Sequence, residues 1–343
     1  MKNSGVVIGG TMPALKEKKM KKYLVFDIGG TFIKYALMDE RNTLLEQDKV
    51  ASPMDSLESL LGALKAVGRQ FAGQYVGVAV SMPGRIDSKN GIAYTGGAFT
   101  FIRNIPMAEL LTECLDMPVT IANDGKCAAN AELNSGALAG VADGAVIVLG
   151  TGTGGGIVLD GKVRMGHTFA AGELSALPTD FVSVSKGIDG LKPDNMDSLW
   201  ADSMSATGLL WRYAVRKGLP KTGHGIDGLA FFKAYDSGEP EAAEALKDFA
   251  ERAAAGIYAV QSVLDLQRVA IGGGISVRPE VTDAIRQAVD EQFAAIPFTP
   301  FGKPEIVRCK YGNDANLIGA LRFHLDYTAR YSSHSSKLSK FGG

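Results

Sequence analysis

The stretch Tyr23 to Asp39, YLVFDIGGTFIKYALMD, restricts the fold of this chain more than any other. Tyr23 to Phe26 is a β-branched and aromatic run of strand character, Asp27-Ile28-Gly29-Gly30-Thr31 is a tight turn, and Phe32 to Met38 predicts a second, antiparallel strand. Two adjacent glycines at the bend let backbone N–H groups come close to a bound anion. Thr31 adds a hydroxyl, and Asp27 offers a carboxylate that can hold a metal-bound water beside it. Taken alone, the same residues also suit a hairpin that only joins two strands.

The device returns. Gly144 to Lys162, GAVIVLGTGTGGGIVLDGK, formally satisfies GxGxxG at Gly150, Gly152 and Gly155. A dinucleotide fingerprint must open a helix, whereas these glycines lead into Ile157-Val158-Leu159 and the Asp160-Gly161 turn, so a second strand, turn, strand unit is predicted. The two hairpins, about 120 residues apart, form an internal repeat of organisation. A further strand, Arg268 to Ile271, runs into Gly272-Gly273-Gly274. The P-loop pattern GxxxxGK followed by Ser or Thr is absent, so a nucleotide here would bind in another way.

Between the first two turns, the strand Pro118 to Ala122 runs into Asn123-Asp124-Gly125 and then into good helix formers from Lys126 to Asn134. Asp124 thus stands where a strand becomes a helix. It is either an N-cap or a carboxylate pointing out of the ligand end of the sheet beside the Asn123 amide. Helices are also expected over Ser56 to Arg69, Met107 to Leu115, Ser205 to Arg216, Glu241 to Leu264, Pro279 to Phe293 and Asp314 to Tyr327, and strands over Tyr75 to Val80 and Glu305 to Cys309. Ser81 to Gly84 and Tyr94 to Gly97 read as loops, Gly166 to Pro178 as an irregular segment whose only acid is Glu173, and Asp180 to Asp197 as a polar loop. The tail after Thr328 reads as frayed.

At 343 residues the chain has material for about two domains. Its 36 basic and 37 acidic residues leave a net charge of −1, so no overall field recruits nucleic acid or an anionic membrane, and a small substrate is expected. Cys114, Cys127 and Cys309 show no metal-ligand spacing, which argues for reduced thiols, no zinc site and a cytoplasmic protein. No apolar run approaches the roughly eighteen residues that would span a bilayer. Residues 1–19 read as a poorly ordered leader, with Met20 a natural start.

DIGGTFIK, PVTIANDGKCAANAE, LGTGTGGGIV and IGGGI resemble, in order, the first phosphate motif, the catalytic Asn-Asp, the second phosphate motif and the adenosine motif of the ROK family of bacterial sugar kinases, within the actin, hsp70 and hexokinase superfamily. The resemblance covers about Met20 to Tyr327 and implies an α/β protein of two ribonuclease H-like domains closing over sugar and ATP–Mg²⁺. It implies a small first domain, residues 20–122, completed by the helix 314–327, a larger second domain, 123–313, and a polar tail, 328–343. Asp124 would take the proton of the sugar 6-hydroxyl, with Asn123 binding a neighbouring hydroxyl and Asn104, Glu173 and Asp202 as further sugar ligands. Asp27 would organise Mg²⁺, Gly29, Gly30, Thr31 and Lys34 the phosphates, Thr151, Gly152, Thr153 and Gly154 the β- and γ-phosphates, and Gly272, Gly273 and Gly274 the adenosine. A homodimer would fit the family.

One departure matters. Where most of the family has Glu-x-Gly-His followed by a cysteine cluster for zinc, here Glu173 is followed by Leu174-Ser175-Ala176, and no cysteine occurs between Cys127 and Cys309. GGAFTFIRN, AGELSA, SATGLLWRYA and GGGISVRPE resemble instead the zinc-free β-glucoside kinase branch, whose anomeric end must tolerate an aglycone or a second sugar. A glucokinase, or another hexose or N-acylhexosamine kinase, is the alternative enzyme. A sugar-sensing transcriptional regulator is the alternative from another class, and it would need a helix-turn-helix module for which the leader is too short.

Overall fold

Alternation along a single strand builds two cores at once. β1 (Lys22–Ile28) turns Leu24, Phe26 and Ile28 to one face and Tyr23 and Val25 to the other, and both sets are buried, as in a central strand covered on both sides. The structure, a computed structural model, describes residues 20–187 and 198–338. The expected leader, residues 188–197 of the polar loop and the last five residues, 339–343, lie outside them.

β1 pairs antiparallel with β2 (Phe32–Asp39), which pairs with β3 (Leu44–Ala51). After α1 (Leu57–Gln70), β4 (Val78–Met82) lies parallel to β1. A small antiparallel sheet, β5 (Ile86–Asp87), β6 (Ile92–Thr95) and β7 (Arg103–Ile105), precedes α2 (Met107–Leu115). β8 (Val119–Asn123) then adds parallel to β4, giving the order β3-β2-β1-β4-β8, and α3 (Asp124–Ser135) leaves from that edge.

The second half repeats the plan. β9 (Gly144–Leu149), β10 (Thr153–Leu159) and β11 (Lys162–Val163) run antiparallel. The helices α4 (Phe181–Ser185), α5 (Trp200–Ser203), α6 (Ala206–Arg216), α7 (Gly228–Asp236) and α8 (Pro240–Leu264) follow. β12 (Arg268–Gly272), α9 (Pro279–Ala295) and β13 (Glu305–Arg308) then complete a sheet of order β11-β10-β9-β12-β13, and α10 (Ala315–Leu338) ends the described chain. The repeat predicted from two hairpins is therefore a repeat of the whole sheet: three antiparallel strands, then two parallel ones.

Leu60, Leu64, Met107 and Leu111 of α1 and α2 cover one face of the first sheet, and Leu209, Phe231, Phe249 and Ile285 of α6 to α9 cover one face of the second. Between the sheets lie α3 and α10, whose Cys127, Ala128, Leu317 and Leu321 share one core with Val25 and Ala79 of the first sheet and Val146, Val158 and Ala270 of the second. The two helices cross backbone against backbone at Gly319, where a Cβ would stand 1.8 Å from the Cys127 carbonyl oxygen. No helix among the described residues is long and apolar enough to cross a membrane.

Three expectations are corrected, and one strand, β3, had no expectation at all. β4 starts at Val78 rather than Tyr75 and runs through Ser81 and Met82, both fully buried. β3 is an edge strand of charged, exposed residues, LLEQDKVA, whose polarity hid it. The segment from Asp180 opens with α4, capped by the Asp180 carboxylate. The residues after Thr328 continue as helix to Leu338, there being no proline or glycine before Gly342 to stop them.

Candidate active site

The parallel strands β1, β4 and β8 end on one edge of the first sheet, and their register places Asp27 beside Ser81 and Met82 beside Asn123. Asp27 is 6% exposed. Its Oδ1 accepts from Ser81 Oγ at 2.9 Å and from Asn316 Nδ2 of α10 at 3.0 Å, and its Oδ2 lies 3.7 Å from Lys34 Nζ, which itself donates to the Asn313 carbonyl. Burial pushes the Asp27 carboxyl up, while Lys34, Ser81 and Asn316 pull it down. In the turn that follows, Gly29 N donates to Phe32 O at 3.1 Å and Ser52 Oγ to Gly29 O. The Gly30 and Thr31 amides have no main-chain partner among the described residues, so both N–H groups are available to an anion.

The strand–helix junction resolves the choice left open for Asp124. The N-cap of α3 is Asn123, whose Oδ1 accepts from Lys126 N at 3.1 Å. Its Nδ2 donates to Gly84 O at 3.0 Å and to Asp124 Oδ1 at 2.9 Å. Asn123 thus has one acceptor lone pair left for a ligand and otherwise orients its neighbour. Asp124 also accepts from Gly125 N at 2.8 Å and leaves Oδ2 without a partner among the described residues. Burial, with the like charges of Asp27 and Glu173, pushes its carboxyl from 3.8 up to about 6, against the pull of the Gly125 N–H and Lys126. A carboxylate so perturbed suits a proton acceptor at neutral pH.

The other two glycine turns sit side by side, because β9 and β12 are parallel neighbours that end on the same edge. Thr151 and Gly152 form the exposed tip of the second turn, whereas Thr153 and Gly154 lie within β10. The Thr153 hydroxyl donates to Trp200 O at 2.7 Å and so ties α5 to the sheet. The N-terminus of α6 rests on the same tip: Ala206 N donates to Gly150 O at 2.8 Å and Thr207 Oγ1 to Thr151 O at 2.9 Å. That brings the positive end of a helix to a place where negative charge is favoured. Gly273 has φ 91°, and a Cβ there would stand 2.4 Å from the Leu149 carbonyl oxygen, so only glycine fits between the two turns. Gly272 closes β12 and Gly274 opens a short 3₁₀ turn to Val277.

Of the residues expected to bind the sugar, Asn104 is exposed in β7 with a left-handed φ of 54°, a strained backbone of the kind found at ligand sites. Glu173 is exposed, accepts from Ser175 Oγ and lies within Coulombic reach of Asp124 and Lys126. Asp202 is exposed on α5. Ala176 ends the 3₁₀ turn Leu174–Ala176 and is exposed.

Ser81, Asn316, Thr207 and Lys126 were not singled out from the sequence. Nor were Tyr94 and Phe169, whose ring centroids lie 6.5 Å apart, with Arg85 stacked on Tyr94. Ser81 was read as the start of a loop, Lys126 as an ordinary helix former after Asp124, and Asn316 and Thr207 come from distant elements with no local signal. Among the described residues, no three His, Cys, Asp or Glu side chains gather into a metal site.

Two sheets of identical order, with paired glycine turns facing an Asp-bearing strand–helix junction, define an actin-like ATPase fold of two ribonuclease H-like domains. The chain belongs to the ROK family, whose model matches residues 23–326. It is 30% identical over 313 residues to a β-glucoside kinase of Klebsiella pneumoniae, covering 90% of this chain and 97% of that one. It is 28% identical over 321 residues to the bifunctional enzyme NanE/NanK of Brucella melitensis, covering 92% of this chain but 55% of the enzyme, so the chain spans about half the length of that relative. A ROK glucokinase from Streptomyces griseus, solved with glucose and AMPPNP, superposes with a TM-score of 0.72 at 25% identity, covering 88% of this chain and 98% of that one.

Proposed function

We propose that the protein is an ATP-dependent sugar kinase that phosphorylates the 6-hydroxyl of a β-glucoside. The observation that carries the reading is the allocation of roles at the junction: Asn123 caps α3, so Asp124 keeps an oxygen free and a raised pKa. In the step itself, the Asp124 carboxylate takes the 6-hydroxyl proton while O6 forms its bond to the γ-phosphorus and the bond to the β-bridging oxygen breaks, releasing ADP. Such a transfer needs positioning and charge stabilisation more than covalent chemistry. The Gly30 and Thr31 amides and the tip at Thr151 and Gly152 supply N–H groups for the phosphates, and Gly272 to Gly274 flank the adenosine.

A divalent cation fits this donor set. Mg²⁺ is held by one or two carboxylates plus substrate phosphates rather than by an all-protein cage, and Asp27 is a single buried carboxylate beside the first turn. Bound there with ATP, Mg²⁺ would neutralise charge on the transferring phosphate.

The choice of a β-glucoside rests on Ala176, an exposed methyl where the family resemblance places a histidine against the anomeric hydroxyl. Losing that partner removes a contact from free glucose and opens room for a β-substituent. The relationship to the Klebsiella β-glucoside kinase supports it. A coupled assay of kcat/KM for cellobiose and glucose tests the assignment: the ratio is expected above one, and a ratio well below one makes the protein a glucokinase instead.

A further inference from the structure

The chain passes between the two sheets twice, from α3 into β9 and from β13 into α10. Both passages meet at one side chain. Glu132, in the last turn of α3, is fully buried. A glutamate is almost never fully buried without a charged partner, yet among the described residues no cation pairs with this one. Main-chain donors hold it instead. Its Oε2 accepts from Ala137 N at 2.6 Å and Lys310 N at 3.1 Å, and its Oε1 accepts from Tyr311 N at 3.0 Å. Ala137 belongs to the first passage, and Lys310 and Tyr311 to the second. Ser135 reinforces the join, its carbonyl accepting from Lys310 Nζ and from Tyr311 Oη, each at 2.9 Å. Only glycine fits at Gly136, since a Cβ there would collide with Glu132 Oε2.

The second passage leads directly to the first glycine turn. Asn313 O accepts from Lys34 Nζ at 3.3 Å, Asp314 Oδ1 accepts from Gln47 Nε2 at 3.0 Å, and Asn316 Nδ2 donates to Asp27 Oδ1 at 3.0 Å. Each of the three antiparallel strands of the first sheet is thus tied once, β1 through Asp27, β2 through Lys34 and β3 through Gln47. At the other end of α3, eight positions before Glu132 and about 12 Å away at 1.5 Å per residue, stands Asp124. We infer that Glu132 is a positioning residue: by fixing the second passage to α3, it sets Asn316, and through it Asp27, in one frame with Asp124. Its effect on the reaction rests on the proposal that Asp27 and the first glycine turn receive MgATP; its effect on Asn316 does not.

Glu132→Gln keeps the size but leaves one acceptor oxygen for three donors. The KM for MgATP is expected to rise several-fold with the sugar KM within twofold, and calorimetric titration with MgATP in the absence of sugar should show the same weakening. Tyr311→Phe loosens the same passage at Ser135 without touching the buried carboxylate, and is expected to move MgATP affinity in the same direction by less. Asn316→Ala closes a double-mutant cycle. Because both changes act through one contact, Glu132→Gln with Asn316→Ala should weaken MgATP no more than the worse single change. Independently of any ligand, the Asn316 side-chain ¹⁵N–¹H resonances, assigned with Asn316→Ala, should shift in Glu132→Gln and in Tyr311→Phe. Effects on MgATP affinity that multiply in the double variant overturn the inference, as do Asn316 resonances that superpose on wild type. A lower melting temperature with MgATP affinity unchanged in both single variants also overturns it, leaving Glu132 a role in stability alone. If wild type phosphorylates no sugar, the sugar-kinase reading fails, and the calorimetric cycle and the resonances still decide the role of Glu132.

Discussion

Asn316 Nδ2 donates to Asp27 Oδ1 at 3.0 Å, joining residues 289 positions apart. The first turn of α10 is thereby tied to the carboxylate that precedes the first glycine turn. Replacing Asn316 by Ala removes one of the donors that hold a buried carboxylate in place. The expected result is a loss of about 1–2 kcal/mol of stability and a several-fold rise in the KM for MgATP, with the sugar KM little changed. Denaturant melts and saturation kinetics check both.

Gly273 wedges its backbone against Leu149 at φ 91°. Gly273→Ala would force a Cβ to within 2.4 Å of a carbonyl oxygen in a conformation that L-residues rarely adopt. A destabilisation of about 2–4 kcal/mol is expected, along with weaker ATP binding, since the second and third turns can no longer abut. Thermal melts with and without ATP measure the two effects.

Metal dependence separates the two candidate ions. Excess EDTA is expected to stop the reaction and added Mg²⁺ to restore it, because Asp27 and the substrate phosphates suit a hard cation. A zinc-selective chelator should leave the rate unchanged. Stoichiometric zinc in the purified protein, found by elemental analysis, would contradict this.

Much of the frame was readable because its signals are local. The three glycine turns, the Asn123-Asp124 junction and the long amphipathic helices each announce themselves within a dozen residues, and the structure places strands and helices where those patterns predict them. What stayed hidden depends on contacts made by folding. β3 is charged along its exposed edge and shows no alternation. Asn316 has no local mark of its partnership with Asp27. Whether Asn123 or Asp124 caps α3 is a matter of side-chain rotamers, and two adjacent capping residue types cannot be told apart by spacing. Lys126 reads as an ordinary surface lysine until the packing of α3 buries it.

The pH dependence of wild type follows from Asp124. With its carboxyl pushed up to about 6, kcat/KM should be flat at pH 7–8 and fall about tenfold per unit below pH 6 as the base becomes protonated. The stability effect has the opposite sign. A carboxyl whose folded pKa is raised contributes stability below its unfolded value of 3.8, and this is lost as pH rises through about 6. The ionised form therefore costs the fold about 3 kcal/mol at pH 7.5.

Asp124→Asn joins these two effects in one protein. The amide keeps the size and the contact with Asn123 but cannot accept a proton, and it removes a buried charge. At pH 7.5 the account predicts kcat lower by about 10²–10⁴-fold, with ATP binding retained and a melting temperature equal to or above wild type. A variant that turns over at near wild-type rate, with the acidic limb of its pH profile in place, would contradict the assignment of Asp124 as the base.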